Sequence, residues 1–206
     1  ATIMDFALIK FHMGDRILPC ATLRPETVFG VTNLWLNPDV DYVLCTVNGE
    51  SWVVSKEAYE KLTFTDRSVA FGSEISGKEL IGKKVTNPLT GAEVLILPAG
   101  FVDPDNGSGI VMSVPAHAPY DYLALKDLYD KDLSEYGITE NLRDIKFISL
   151  IESPGYGEMP AVEAVNELKV ADQNDPKAEE ATKMVYRREL HNGVLKANTG
   201  KYAGIA

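Results

Sequence analysis

The chain has 206 residues and carries 20 Lys and Arg against 30 Asp and Glu, which gives a formal net charge of −10. Hydrophobic residues make up 45% of it, so the chain can bury a core and fold as roughly one domain. Its acidic balance argues against wrapping a long nucleic-acid backbone, because each phosphate contact needs Lys or Arg, but not against holding one short end. No stretch approaches the roughly 20 apolar residues of a membrane span.

Alternating or short apolar runs dominate the first 115 residues and predict strands joined by hairpins. The predicted hairpins join strands at 6–11 and 16–23 across the turn 12–15, strands at 42–47 and 51–54 across Asn48-Gly49, and strands around Val85 and at 94–97 across the turn 87–91. Ser55 is predicted to cap a short helix that ends at Leu62. Residues 109–114 are predicted to form a further strand.

Helical patterns become more frequent after this point. Apolar spacing predicts a helix over 119–131 that places Tyr122, Leu125 and Leu128 on one face. The further predicted elements are a strand over 146–151, a helix over 161–170, and a helix from Asp175-Pro176 to about Leu190. We interpret about 130–180 as a peripheral, mostly helical insertion. The pattern predicts an α+β fold with a mixed, barrel-like β core and peripheral helices.

Residues 22–27, Thr-Leu-Arg-Pro-Glu-Thr, form the first segment that could carry chemistry. Two hydroxyls, one guanidinium and one carboxylate follow a predicted strand, and the proline pushes the backbone of Arg24 toward extended conformations. A hydroxyl-based turn and a helix cap would explain the same residues. The segment alone leaves both interpretations open.

A second segment, residues 103–109, places Ser108 between two glycines. Glycines allow close backbone approach and present N–H groups to an anionic or carbonyl ligand, although the segment taken alone is more often a flexible connecting turn. The segment lacks the Lys and the spacing of a phosphate-binding loop.

The third segment, residues 114–122, runs from the strand end at Val114 into the helix that begins at Pro119. Asp121 lies in the first helical turn, where the helix dipole favours a carboxylate by about 0.3–1 kcal/mol, so a structural role is sufficient. The functional alternative is that Asp121 offers its charge to a ligand ammonium group. His117 lies in the loop, where a histidine is usually solvated or bonded to backbone.

Cys20 and Cys45 have no C-x-x-C spacing and lie in apolar runs, and the three histidines are far apart. We therefore predict reduced, buried thiols in a cytoplasmic protein and no metal site. Residues 1–10 show no secretory signal. Because the sequence starts at Ala1 inside apolar text, we expect an excised segment of a longer protein.

Two stretches resemble a known family. Residues 21–30 (ATLRPETVFG), with Thr32-Asn33 and Asn37-Pro38, resemble the threonine-rich editing signature of class I aminoacyl-tRNA synthetases, and residues 106–122 resemble the second editing signature. Together they resemble the connective insertion (editing) domain of leucyl-tRNA synthetases of the archaeal and eukaryotic-cytosolic type, over essentially the whole chain. Ser108 departs from the Thr that the family usually has, but it keeps the hydroxyl.

The resemblance implies a single editing domain over residues 1–206. Its implied function is hydrolysis of isoleucyl-, methionyl- or norvalyl-tRNA-Leu as part of a leucine-tRNA ligase. Such a step is needed because one methylene is worth only about 1–3 kcal/mol in a hydrophobic synthetic pocket. Water, helped by a tRNA ribose hydroxyl, is implied to attack the ester.

The resemblance also implies residue roles. Asp121 binds the α-ammonium group, and Thr27 is the wall that rejects leucine. The implied catalytic residues are Thr22, Arg24 and Asp121, and the implied substrate-binding residues are Leu23, Glu26, Thr27, Ser108, Val114, His117 and Asp121.

No cofactor is implied for editing, since ATP and Mg serve only the parent ligase, whose synthetic signatures are absent here. The implied partners are the 3′-terminal adenosine of aminoacylated tRNA-Leu and the remainder of the synthetase, with no membrane, and the isolated domain is expected to be a cytoplasmic monomer. Two alternatives remain open. One is the editing domain of a valyl- or isoleucyl-tRNA synthetase, because the Arg-Pro-Glu-Thr motif at residues 24–27 also occurs in the valyl enzyme. The other is a non-catalytic domain that positions the tRNA end.

Overall fold

The computed structural model describes residues 6–206 and confirms an α+β fold with one large mixed sheet and several helices. Residues 1–5, part of the stretch in which the sequence shows no secretory signal, lie outside the described residues. The chain forms two compact units. The first contains residues up to 28, 33–112 and 134–138, and the second contains 29–32, 113–133 and 139–206. The single editing domain and the insertion at 130–180 stay predictions.

Within residues 6–206, nine strands form the large sheet. They are β1 (Ala7–Met13), β2 (Arg16–Thr22), β3 (Asn33–Leu36), β4 (Asp41–Val47), β5 (Glu50–Ser55), β6 (Val69–Ser76), β7 (Lys84–Thr86), β8 (Glu93–Pro98) and β9 (Val111–Ser113). Their spatial order is β6-β4-β5-β2-β1-β7-β8-β3-β9. The β2–β5 and β3–β8 pairs are parallel. The antiparallel pairs are β1–β2, β1–β7, β4–β5, β4–β6 and β7–β8.

The three predicted hairpins are confirmed. Asn48 and Gly49 join β4 to β5 with φ angles of 50° and 85°, the two consecutive positive values that a tight two-residue hairpin turn needs. Gly14, at φ 63°, serves the turn between β1 and β2. The predicted cap is also confirmed, because the Ser55 hydroxyl accepts a hydrogen bond from the N–H of Ala58 at 3.1 Å at the start of α1 (Lys56–Leu62).

The first unit also contains the short helix α2 (Gly77–Leu80) and a 3₁₀ turn at Ser134–Tyr136. One part of its core packs the apolar face of the β4–β5 hairpin against α1. The buried residues of this cluster are Ile17, Val43, Cys45, Val47, Trp52, Val54 and Ala58.

The second unit is mainly helical. It contains α3 (Pro119–Leu128), α4 (Pro160–Leu168), α5 (Lys177–Asn192), the antiparallel pair β10 (Ile151–Glu152) and β11 (Val194–Leu195), and 3₁₀ turns at Leu142–Asp144 and Ala197–Tyr202. Its core joins the three helices through Leu123, Ala164, Val165, Val170, Ala178, Ala181 and Val185. No helix within residues 6–206 is long and apolar enough to cross a membrane.

Two sequence predictions differ from the structure in the second unit. The strand predicted over 146–151 is wrong, because only Ile151 enters a strand, and the N–H of Leu150 donates to the ring of His117 instead of to a neighbouring strand. The helix α3 ends at Leu128, three residues before the predicted end, while its predicted face is confirmed, with Leu125 and Leu128 buried. The strands β3 and β6 have no counterpart among the predicted elements.

Candidate active site

The segment 22–27 leaves β2 as a tight turn in the first unit. The Thr22 hydroxyl accepts a hydrogen bond from the backbone N–H of Arg24 at 3.0 Å. The carbonyl of Arg24 accepts two bonds from Thr27, one from its N–H at 3.1 Å and one from its hydroxyl at 2.7 Å. The two threonines therefore hold the peptide groups of Arg24 from both sides. The hydroxyl-based turn is confirmed, and a 3₁₀ helix follows at Pro25–Gly30.

Within this turn, Arg24 and Glu26 form an ion pair. The Arg24 Nε donates to Glu26 Oε1 at 2.9 Å, and the two side chains are 15% and 32% exposed. The pair holds the guanidinium in one orientation. The neighbouring residue Leu23 is about half exposed.

Thr27 is 5% exposed and is the most buried of the hydroxyl residues in the segment. A β-branched side chain has few χ1 choices, and the hydroxyl bond to Arg24 selects one of them. Thr27 therefore offers a methyl group at a fixed position, which is what a steric filter requires.

The glycine-rich segment packs against the protein's own backbone and side chains. A Cβ on Gly107 would lie 2.8 Å from the Cβ of Ala21, and a Cβ on Gly109 would lie 2.5 Å from the Cβ of Ser55. The Ser108 hydroxyl donates to the carbonyl of Pro19 on β2. The two glycines thus allow close packing within the protein, and the loop braces the strand that leads into residues 22–27. The predicted presentation of its N–H groups to an anionic or carbonyl ligand stays a prediction.

A cavity of about 260 Å³ opens beside this loop in the first unit. Ala21, Gly107 and Ser108 line it together with apolar side chains that include Leu8 and Trp52.

Asp121 lies in the first turn of α3 in the second unit and is 8% exposed. Its Oδ2 accepts a hydrogen bond from the N–H of Val114 at 2.8 Å. The carbonyl of Val114 in turn accepts bonds from the N–H groups of His117 at 3.0 Å and Ala118 at 2.9 Å. The N-cap residue Ala118 has no side chain that could cap α3. The bond between the carboxylate of Asp121 and the N–H of Val114 instead ties the first helical turn to the loop that leads into it.

His117 is buried, not solvated, and both of its ring nitrogens have partners. Its Nε2 accepts the N–H of Leu150 at 2.8 Å, and its Nδ1 lies 2.6 Å from Oε1 of Glu189 on α5. Because an acceptor nitrogen carries no proton, Nδ1 is the protonated nitrogen and donates to Glu189.

Sequence reasoning missed Glu189, although a signal was present. The buried residues of α5 are Ala178, Ala181, Val185 and Glu189. Their spacing is that of one helical face, so Glu189 is a carboxylate on an apolar stripe. A charge at such a position needs a buried partner, and His117 is one.

The structure divides the predicted site residues between the two units. The first unit holds Thr22, Leu23, Arg24, Glu26, Thr27 and Ser108, and the second holds Val114, His117 and Asp121. Hydrogen bonds connect the three residues of the second set, because the N–H of Val114 donates to the carboxylate of Asp121 and the carbonyl of Val114 accepts from the N–H of His117. Their roles in catalysis and substrate binding stay predictions.

The two thiols are buried, as predicted, and no disulfide joins them. Burial raises the pKa of the Cys45 thiol to about 11 and also raises the pKa of the Cys20 thiol. Among residues 6–206, no group of three or more His, Cys, Asp and Glu side chains could hold a metal ion.

Comparisons with known proteins identify the family. The family model described as leucyl-tRNA synthetase, editing domain, matches residues 5–134. The leucine–tRNA ligase of Methanothrix thermoacetophila is 74% identical over 204 residues, which cover 99% of this chain and 22% of that protein. The leucine–tRNA ligase of Pyrococcus furiosus is 52% identical over 206 residues, which cover 94% of this chain and 21% of that protein. The chain thus spans about a fifth of the length of these relatives.

Solved structures agree with the sequence relatives. The crystal structure of GlLeuRS-CP1 superposes with a TM-score of 0.85 at 27% identity, covering 97% of this chain and 89% of that one. The cytosolic leucyl-tRNA synthetase editing domain of P. knowlesi has a TM-score of 0.84 at 19% identity, covering 97% and 87%, which shows a shared fold. These matches favour the leucyl family over the valyl and isoleucyl alternatives. The chain belongs to the leucyl-tRNA synthetase editing-domain family.

Proposed function

We propose that the chain is the editing domain of a leucine-tRNA ligase and hydrolyses mischarged tRNA-Leu that carries isoleucine, methionine or norvaline. Water adds to the ester carbonyl, the bond to the terminal ribose breaks, and the ribose oxygen leaves with a proton, which gives free amino acid and tRNA. The observation that carries the proposal is the nearly buried, pre-oriented carboxylate of Asp121 in a chain of this family.

Asp121 binds the α-ammonium group of the misplaced amino acid. Its bond to the N–H of Val114 fixes the carboxylate before the substrate arrives, so little side-chain entropy is lost on binding. A charge-assisted hydrogen bond in a desolvated site is worth about 1.5–3 kcal/mol.

Thr22 and Arg24 act on the ester, Leu23 and Glu26 contact the terminal adenosine, and Thr27 excludes leucine. The rigid turn at 22–27 supports these roles, because hydrogen bonds hold both threonines and an ion pair holds the guanidinium. A fixed donor aimed at developing negative charge is more effective than a mobile one. Ser108 braces β2 beneath this turn through its bond to Pro19.

We propose water as the nucleophile. The buried Cys20 and Cys45 have raised thiol pKa values, which keeps the thiolate population small near neutral pH. His117 has both ring nitrogens engaged inside the protein, which argues against its acting as the base for a serine or cysteine.

We further propose that editing uses no metal or cofactor, ATP and Mg serving only the ligase part. The partners are the 3′-terminal adenosine of aminoacylated tRNA-Leu and the remainder of the synthetase. The protein works in the cytoplasm, without a membrane, and the isolated domain is a monomer.

The test compares Asp121→Asn with wild type in the full-length synthetase, by release of amino acid from norvalyl- and isoleucyl-tRNA-Leu. Asparagine keeps an acceptor for the N–H of Val114 but loses the charge, so kcat/KM should fall about 10- to 150-fold with the melting temperature little changed. Asp127→Asn is the matched control, because this carboxylate also lies on α3 and accepts from Gln173. Normal deacylation by Asp121→Asn would contradict the role of Asp121. A wild-type enzyme that releases no amino acid would favour a domain that only positions the tRNA end.

A further inference from the structure

We propose that Glu189 is a positioning residue for editing, which fixes the tautomer of His117 and, through the loop at Val114, the carboxylate of Asp121. The inference rests on the proposed function. It assigns a task to α5, which lies outside the residues 5–134 that the family model matches.

The first step is the tautomer. Free imidazole exchanges its proton between two nitrogens, and a protein selects one form by the partners it supplies. The N–H of Leu150 requires a lone pair on Nε2, and the carboxylate of Glu189 requires a proton on Nδ1. The two partners demand the same neutral form, so the ring has one orientation in which both bonds are made. A ring turned by 180° would break both.

The second step is the position of Glu189 itself. Its side chain is 0% exposed and that of His117 is 1% exposed, so the carboxylate depends on hydrogen bonds inside the protein. Its backbone carbonyl accepts the N–H of Gly193 at 2.9 Å, at the end of α5. A Cβ on Gly193 would lie 2.6 Å from a side-chain carbon of Ile151, so the end of α5 packs directly against β10. Glu189 therefore projects from a firmly held helix end.

The third step leads from His117 to Asp121. The backbone N–H of His117 donates to the carbonyl of Val114, and the N–H of Val114 donates to Oδ2 of Asp121. Both peptide groups that flank Val114 are thus fixed by residues of this loop and helix. When the ring of His117 is held at both nitrogens, its backbone N–H keeps the carbonyl of Val114 in place. The N–H of the same residue, which orients the Asp121 carboxylate, is then held as well.

The energetic consequence follows from the geometry that catalysis requires. A displacement of about 1 Å in a positioned group can cost about 100-fold in rate even when the altered residue is remote. Without an acceptor at position 189, the Nδ1–H group is left buried and unpaired, so the ring is driven to another orientation. The expected loss falls on recognition of the ammonium group, not on binding of the adenosine.

The experiment uses Glu189→Leu, Glu189→Gln and the control Thr199→Val in the full-length synthetase. Thr199 is also buried in the second unit, and its hydroxyl donates to the backbone carbonyl of Lys196 at 2.7 Å, a bond in which neither His117 nor Val114 takes part. The probes are a non-hydrolysable norvalyl-amide of adenosine and the pentanoyl-amide that lacks the α-amino group. Binding of each is measured by calorimetry, alongside deacylation of norvalyl-tRNA-Leu.

Wild type should prefer the amine-bearing probe by about 10- to 150-fold. Glu189→Leu should lose at least tenfold of this preference and about 100-fold in deacylation, while its affinity for the pentanoyl probe changes less than about twofold. Glu189→Gln offers an amide oxygen to Nδ1–H, so it should stay within about threefold of wild type, and Thr199→Val should keep the preference.

If Glu189→Leu weakens the binding of both probes equally, Glu189 serves stability alone and the inference is overturned. An unchanged preference of Glu189→Leu for the amine-bearing probe would overturn it as well. If wild type neither prefers the amine nor deacylates, the proposed function fails instead. A readout that needs no variant is the ¹⁵N spectrum of the wild-type histidines, in which His117 should show a protonated Nδ1 and an unprotonated Nε2. The opposite tautomer would also overturn the inference.

Discussion

Replacing Thr27 separates the structural and the selective contributions of one side chain. Thr27→Ala removes a hydroxyl that bonds to the carbonyl of Arg24 at 2.7 Å and a methyl group on a residue that is 5% exposed. The lost hydrogen bond is worth about 0.5–1.5 kcal/mol and the lost methyl about 0.8 kcal/mol. The free energy of unfolding should therefore fall by about 1–2 kcal/mol, and the melting temperature by about 2–8 °C for a chain of this size.

Selectivity should change more than stability. Leucine and isoleucine have the same number of heavy atoms, so an editing site must sort them by where the branch lies. Overlap with a fixed wall group costs about 1–3 kcal/mol, which corresponds to about 10- to 200-fold exclusion. Thr27→Ala should consequently hydrolyse correctly charged leucyl-tRNA-Leu while its cleavage of the isoleucyl ester stays close to wild type.

Two conservative variants assign the effect to an atom group. Thr27→Val keeps the branched shape but loses the bond to Arg24, so it should be less stable than wild type and still spare leucyl-tRNA. Thr27→Ser keeps the hydroxyl bond and loses only the methyl. The assay is release of labelled amino acid from leucyl- and isoleucyl-tRNA-Leu by the full-length synthetase. If Thr27→Ala spares the leucyl ester while cleaving the isoleucyl ester normally, Thr27 is not the filter.

Two further predictions concern stability. Gly107→Ala should lower the melting temperature more than Gly14→Ala. The two glycines have similar positive φ angles, 59° and 63°, but of the two added Cβ atoms only the one at Gly107 meets another residue within 4 Å. Equal losses of melting temperature by calorimetry would show that backbone strain alone decides. The N–H groups of Ala171 and Lys177 donate to Asp175 and hold the pKa of its carboxyl below the usual value. The ionised carboxylate should therefore stabilise the start of α5 at a pH above the unfolded-state pKa, and this stabilisation should be lost as the pH falls through the lower folded-state pKa. In Asp175→Asn, this step of the pH–stability curve should be missing.

Local signals in the sequence were sufficient for the hairpins and for the start of α1. Asn48-Gly49 has the residue types that tolerate consecutive positive φ angles, and Ser55 has a hydroxyl that can accept the free N–H of a first helical turn. Each of these features depends on residues no more than a few positions apart. The sheet order could not be read in the same way, because β3 pairs in parallel with β8 across about sixty residues of chain.

The site was less predictable where one residue depends on a distant partner. Residues 146–151 have the composition of a strand, but the N–H of Leu150 is taken by the ring of His117. The loop sequence around His117 predicts a solvated or backbone-bonded ring, and the ring does accept a backbone N–H, but its second partner, Glu189 on α5, lies 72 residues away. Glu189 could be flagged as a carboxylate on an apolar helical face, but its partner could not be named from the sequence alone.

For the segments around Thr27 and Asp121, the structural and functional explanations are not competitors. The bond from Thr27 to the carbonyl of Arg24 closes a turn, and it also fixes the side chain that a steric filter needs. The bond from the N–H of Val114 to Asp121 closes the entry to α3, and it also orients the carboxylate. Fixing these groups in the folded protein moves their ordering cost from the binding step to folding, which makes the binding step stronger. Variants that keep the hydrogen bond and remove only the charge or the methyl are therefore the ones that can separate the two roles.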